Sequence, residues 1–95
     1  MTPIEEQAND ERRREPRVQA SGVVELSVSD PILEVFQGDL MDISQSGFRV
    51  SHRNVSLKTG QQVRYRHPHG EGTAKVMWTR IAAGQIESGF LVAEN

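Results

Sequence analysis

Cysteine is absent from this 95-residue chain, which excludes a disulfide framework, a thiolate nucleophile and a cysteine-based zinc site. Aromatic residues are scarce, with three Phe, one Tyr and one Trp. That is too few for the stacking platforms of a general single-strand nucleic-acid barrel, so neither DNA nor RNA is expected as a partner. No apolar run is long enough to span a bilayer, and the N-terminus is polar and acidic where a secretory signal is basic and then apolar. The expectation is a soluble, cytoplasmic protein without membrane insertion. A helical pattern is missing along the whole sequence. The length suits one small barrel or sandwich core and not two lobes with a cleft between them.

Charge is present in both signs but is not evenly spread. The formal net charge is −2, yet residues 1–11 carry acids and no base, and Arg12, Arg13, Arg14 and Arg17 follow directly. Residues 1–11 lack periodicity and read as a flexible tail; residues 12–95 form the domain, with residues 12–17 as an arginine-rich arm. Pro16 disfavours a helical Glu15, so the arm is expected to be extended. Arg13 and Arg17 then lie up to roughly 13 Å apart and can hold different parts of one ligand. Two readings of the cluster stand side by side. It is a solvated basic segment offsetting the acidic tail, or its guanidinium forks grip phosphate oxygens and purine edges.

From Val18 onward polar and apolar residues alternate, most cleanly over Val24-Glu25-Leu26-Ser27-Val28-Ser29. Ser29-Asp30-Pro31 signals a turn. Residues 32–44 give a second strand, broken or bulged at Gly38, and 48–52 a third. Residues 62–66 alternate again, and His67-Pro68-His69-Gly70 is a turn. In residues 72–81, Ala74, Val76 and Trp78 share one face, which makes Trp78 a core residue first and a ligand contact second. Residues 85–92 complete about six short strands, the pattern of an all-β barrel or sandwich.

Between the second and third strands lies Asp42-Ile43-Ser44-Gln45-Ser46-Gly47. Asp42 and Ser44, two apart, can reach one ligand from one strand face, and Gly47 is expected to take a positive φ. The same residues also suit an ordinary hairpin turn. Other constellations are weaker. His52, His67 and His69 lack a fourth metal ligand, so no metal is expected. Ser44 lacks the context of a nucleophile elbow, and no catalytic residue or enzymatic activity is expected. Arg64 and Arg66 read as a solvated strip, with His52 as a possible neighbour.

Arg13-Arg14-Glu15-Pro16-Arg17 fits an R-x-x-x-R motif and residues 42–47 fit D/N-x-S-x-x-G. In order and separation the two resemble the PilZ domain, a bacterial receptor for the second messenger cyclic di-GMP, and Val76-Met77-Trp78 with Gly89-Phe90 is similar to that family's closing strands. The resemblance covers roughly residues 12–92. It implies a six-stranded antiparallel split barrel and a receptor that rearranges its N-terminal arm on binding cyclic di-GMP and signals to a protein partner, as a monomer or weak homodimer. Arg13 and Arg17 would bind phosphate and guanine. Asp42 would accept from a guanine N1–H and N2–H₂ edge, Ser44 would bond beside it, and Gly47 would shape the turn. Arg12, just before the motif, would go with a stacked pair of ligands; Arg49 and Trp78 are further contacts. The family barrel is commonly followed by a C-terminal helix, for which residues up to Asn95 leave no room. The alternative is a PilZ-like interaction module that does not bind the dinucleotide.

Overall fold

A computed structural model describes residues 16–29 and 32–93. Arg12 and Arg13, and with them the tail and most of the arm, lie outside the described residues. Seven strands occur in order among the described residues: β1 (Val18–Gln19), β2 (Val23–Val28), β3 (Glu34–Ile43), β4 (Gly47–His52), β5 (Gln62–His67), β6 (Gly70–Ala82) and β7 (Gln85–Val92). No helix occurs among the described residues.

All strand pairs are antiparallel. The sheet order is β3-β2-β5-β6-β7-β4, and a further β3–β4 pairing closes it into a six-stranded barrel. The expected barrel is thus present, with β1 as an added seventh strand along β3. Two residues were too short a stretch to stand out by alternation.

The alternation read from the sequence decides what faces inward. Val24, Leu26 and Val28 of β2, Phe48 and Val50 of β4, Val63 of β5, Ala74 and Val76 of β6 and Phe90 of β7 are all buried. Phe48 stacks on Phe90 with ring centroids 5.0 Å apart and tilts against Tyr65 at 4.7 Å. Each such valine, leucine or phenylalanine withdrawn from water stabilises the barrel by about 1.5–3 kcal/mol.

Two irregularities interrupt this parity. The β3–β4 register shifts between Leu40 and Asp42, and the β6–β7 register shifts between Val76 and Trp78. The extra residues are Met41 and Met77. The interruption expected at Gly38 is not there: the β2–β3 register runs unbroken through the Val24–Gly38 pair. Each bulge inserts one residue and so turns the next side chain to the opposite face. Without them Asp42 would follow Leu40, and Trp78 would follow Val76, into the barrel interior.

Candidate functional site

The two bulges build one outward-facing row. Directly opposed residues on antiparallel strands share a face. Asp42 opposes Arg49, Arg49 opposes Gly89, and Gly89 opposes Trp78, so β3, β4, β7 and β6 each contribute one position. Arg49 lies between the inward Phe48 and Val50, which sets the row's face as the outer one. Trp78 is therefore not a core residue, as its period-two spacing from Val76 suggested. It is half-buried on the outside, and the bulge at Met77 is the reason.

Gly89 leaves a trough in the middle of the row. A Cβ there would stand 2.3 Å from the indole Nε1 of Trp78 and 2.4 Å from its Cε2, so the ring lies directly on the glycine backbone. Arg80 also approaches the indole, with its guanidinium carbon 5.4 Å from the ring centroid. Glu87 anchors that arginine, accepting from its Nε at 3.2 Å and its Nη2 at 3.1 Å.

At the opposite end of the row, Asp42 is enclosed by cations. Arg17 Nη1 donates to Oδ1 at 3.2 Å, Arg49 Nε donates to Oδ2 at 2.9 Å, and Arg49 Nη2 donates to the same oxygen. The carboxylate is 9% exposed, Arg49 28% and Arg17 53%. The hydrogen bond to Asp42, more than the general field of the carboxylates, raises the already high Arg49 pKa further and keeps its guanidinium charged. β1 brings Arg17 to this place: Gln19 pairs with Asp42 and Val18 with Ile43, and Ala20 N–H donates to Met41 O at 3.1 Å.

The 42–47 turn closes one side. Ser44 N–H donates to Gly47 O at 2.8 Å and Ser44 Oγ donates to the same carbonyl at 3.4 Å. Gly47 does not take the expected positive φ. Its glycine is required by proximity, because a Cβ would sit 2.2 Å from the carbonyl oxygen of Phe90 on β7.

Together these parts border an open cavity of about 560 Å³. Arg17, Ser44, Gly47, Arg49 and Trp78 all line it, five of the eight residues singled out from the sequence. Asp42 lines an adjoining hollow that also contains Arg17 and Arg49, and a second hollow joins those two arginines to Trp78 and Arg80. Arg12 and Arg13 lie outside the described residues. Sequence reasoning noted Gly89 only within the closing-strand resemblance and not as part of the site, and it missed Arg80. A glycine inside the alternating pattern of the last strand does signal a close approach by another group, and Arg80 stands two residues beyond Trp78 on the same strand face.

The remaining constellations do not assemble. His52 is buried inside the barrel, 2.8 Å from Ser88 Oγ through Nε2, so it is not a neighbour of the Arg64 and Arg66 strip. Arg66 pairs with Glu25 at 3.0 Å on the exposed surface. No three metal-binding side chains cluster among the described residues.

Comparison with known proteins agrees with this architecture. The structure superposes on that of the Bacillus subtilis inhibitor of motility (MotI/DgrA) with a TM-score of 0.73 at 19% sequence identity, over 87% of this chain and 43% of that one. The chain thus spans less than half of that protein's length, and the likeness is one of fold. No curated protein matches its sequence. The PilZ domain model matches residues 11–92, most of the sequence. The chain therefore belongs to the PilZ family, a family of cyclic di-GMP receptor domains.

Proposed function

We propose that this chain is a cyclic di-GMP receptor that binds the dinucleotide without transforming it and passes the change to a protein partner. The single observation that carries this reading is the convergence of Arg17, Ser44, Gly47, Arg49 and Trp78 on one open cavity, from three separate stretches of backbone. Arg17 and Arg49 supply guanidinium forks for phosphodiester oxygens. The exposed part of the Trp78 indole offers a face for a guanine base, worth about 1–3 kcal/mol when a base stacks on it. Asp42 supplies the acceptor for a guanine N1–H and N2–H₂ edge, and Ser44 bonds beside it.

The response is centred on Arg17. This residue leads directly into β1 and is tied to Asp42, so a ligand that claims its guanidinium also acts on the chain entering from Arg12 and Arg13. Those two arginines add further phosphate and guanine contacts. The ligand shifts the molecule toward the arrangement that holds it better, and the partner reads the altered surface near β1.

Calorimetric titration of cyclic di-GMP into the wild type and into Arg13→Ala, Arg17→Ala and Trp78→Ala tests the assignment. Each substitution is expected to weaken binding by about tenfold or more, the loss of one charge-assisted or stacking contact. Equal affinity in all three variants would remove the site. Absence of binding by the wild type would favour a module that works through protein contacts alone.

A further inference from the structure

The end of β6 beyond its bulge carries an edge that the barrel does not use. β6 pairs with β5 as far as Lys75. Val76 makes the last backbone bonds on that side, its N–H donating to Gln61 O at 2.9 Å and its carbonyl accepting from Gly60 N–H at 2.7 Å. From Trp78 to Ala82 the strand pairs with β7 alone among the described residues. We infer that this edge is an interface for a second copy of the chain, with β6 pairing antiparallel to β6 about a two-fold axis at Ile81.

The hairpin decides which backbone groups are open. β6 and β7 join through Ala83 and Gly84, whose φ values of 52° and 78° are those of a two-residue type I′ turn. In such a hairpin the flanking pair, here Ala82 and Gln85, exchanges both backbone bonds, and bonded and non-bonded pairs alternate from there. The Arg80 backbone is thus bonded to Glu87, while Thr79 and Ile81 turn their N–H and C=O groups to the open side. The Thr79 and Ser88 hydroxyls meet at 2.8 Å, in keeping with the closer, non-bonded type of pair. Sheet edges are commonly guarded by proline, by charge or by a covering segment. Residues 78–82 hold no proline, and their single charge, Arg80, is already engaged by Glu87 through Nε and Nη2.

A two-fold axis pairs an edge with itself in the antiparallel sense, and three registers bring the open groups of Thr79 and Ile81 together. Thr79 on Thr79 drives the second copy's Ala82 into the bulge beside Val76, whose backbone groups are taken by Gln61 and Gly60. Thr79 on Ile81 sets Arg80 directly opposite the second copy's Arg80, like charge against like. Ile81 on Ile81 avoids both faults, because Arg80 then faces the second copy's Ala82. Opposed residues share a face, so Ile86, Ile81 and their copies form one row of four isoleucines. Ile81 is 78% exposed in the single chain and Ile86 is half-buried, and the pairing withdraws this apolar surface from water. Charge and apolar matching both select a second copy as the occupant. The row is short, which makes the association weak and dependent on concentration.

Sedimentation velocity of the full chain without nucleotide, from about 5 μM to about 1 mM, tests the interface. The wild type is expected to pass from monomer toward dimer over this range. Ile81→Lys sets two cations face to face at the axis and should weaken association about tenfold or more. The position is exposed, so the variant keeps its fold, which circular dichroism checks. A second arm uses the absence of cysteine from the sequence. In Ile81→Cys the opposed Cα atoms lie about 5.5 Å apart, within disulfide reach. Oxidation with copper phenanthroline should then link two copies about tenfold faster than in Val55→Cys, an exposed position away from the axis. A wild type that stays monomeric at about 1 mM overturns the inference and leaves the edge to a strand of another protein. A dimer that Ile81→Lys leaves intact, or equal linking rates in the two cysteine variants, overturns it as well.

Discussion

Trp78 rests on Gly89 so closely that a Cβ at position 89 would stand 2.3 Å from the indole Nε1. The contact joins β6 to β7 across a bulge and leaves the indole as one wall of the cavity. Gly89→Ala is therefore expected to push the ring off its seat without replacing any charged residue. The tryptophan is unique in the chain, so its emission reports the displacement directly. Affinity for cyclic di-GMP should fall by about tenfold if a base stacks on the ring. A shifted emission with unchanged affinity would separate Trp78 from the binding surface.

Gly47 makes the corresponding approach on the other side of the row. A methyl group there would meet the Phe90 carbonyl at 2.2 Å, inside the β4–β7 pairing, where both backbones are held by their neighbours. Gly47→Ala is expected to destabilise the barrel by about 1–3 kcal/mol in urea denaturation, the usual cost of forcing extra atoms into a packed place. Gly72→Ala is the control. Its Cβ would first meet the Tyr65 hydroxyl at 3.4 Å, and the change should stay within about 0.5 kcal/mol.

Both glycines show what kind of information the sequence held. The six barrel strands could be read from alternation, because burial on one face imposes period two on every strand. The pairing of an arginine segment with the 42–47 turn was legible as a motif. What escaped was parity: a bulge adds one residue without altering composition, so Met41 and Met77 left no trace, and Trp78 was placed in the core. Gly47 was recognised as necessary but for the wrong reason, since a close approach to Phe90 depends on a strand more than forty residues away in sequence. The Arg49–Asp42 pairing was equally hidden, because it depends on the register of β3 against β4.

Arg49 uses two nitrogens of one planar group on the same Asp42 oxygen. A lysine ammonium keeps the charge but has neither the fork nor the reach of Nε and Nη2 together. Arg49→Lys should therefore weaken cyclic di-GMP binding almost as much as Arg49→Ala. The same titration at two salt concentrations checks the point. If lysine restores most of the affinity, and that affinity is strongly salt-sensitive, charge alone is what the position supplies.

His52 gives the barrel a dependence on pH that is separate from the cavity. Its side chain is buried, with Nδ1 accepting from the Asn54 N–H at 3.1 Å and Nε2 placed 2.8 Å from Ser88 Oγ, which is itself 2.8 Å from Thr79 Oγ1. The acceptor role of Nδ1 requires the neutral ring with its proton on Nε2. Desolvation lowers the pKa of His52 below its ordinary value of 6.5. His67 shifts the same way, first from desolvation and then from the nearby His69. Below about pH 6.5 the unfolded chain takes up protons that the folded chain refuses, so stability is full above that value and declines as pH falls toward the folded pKa. The urea midpoint of the wild type should drop between about pH 7.5 and pH 5.5. His52→Gln, which cannot titrate, should be less stable at the upper pH and show a flatter profile. An equally steep decline in that variant would assign the dependence to His67 or to the carboxylates instead.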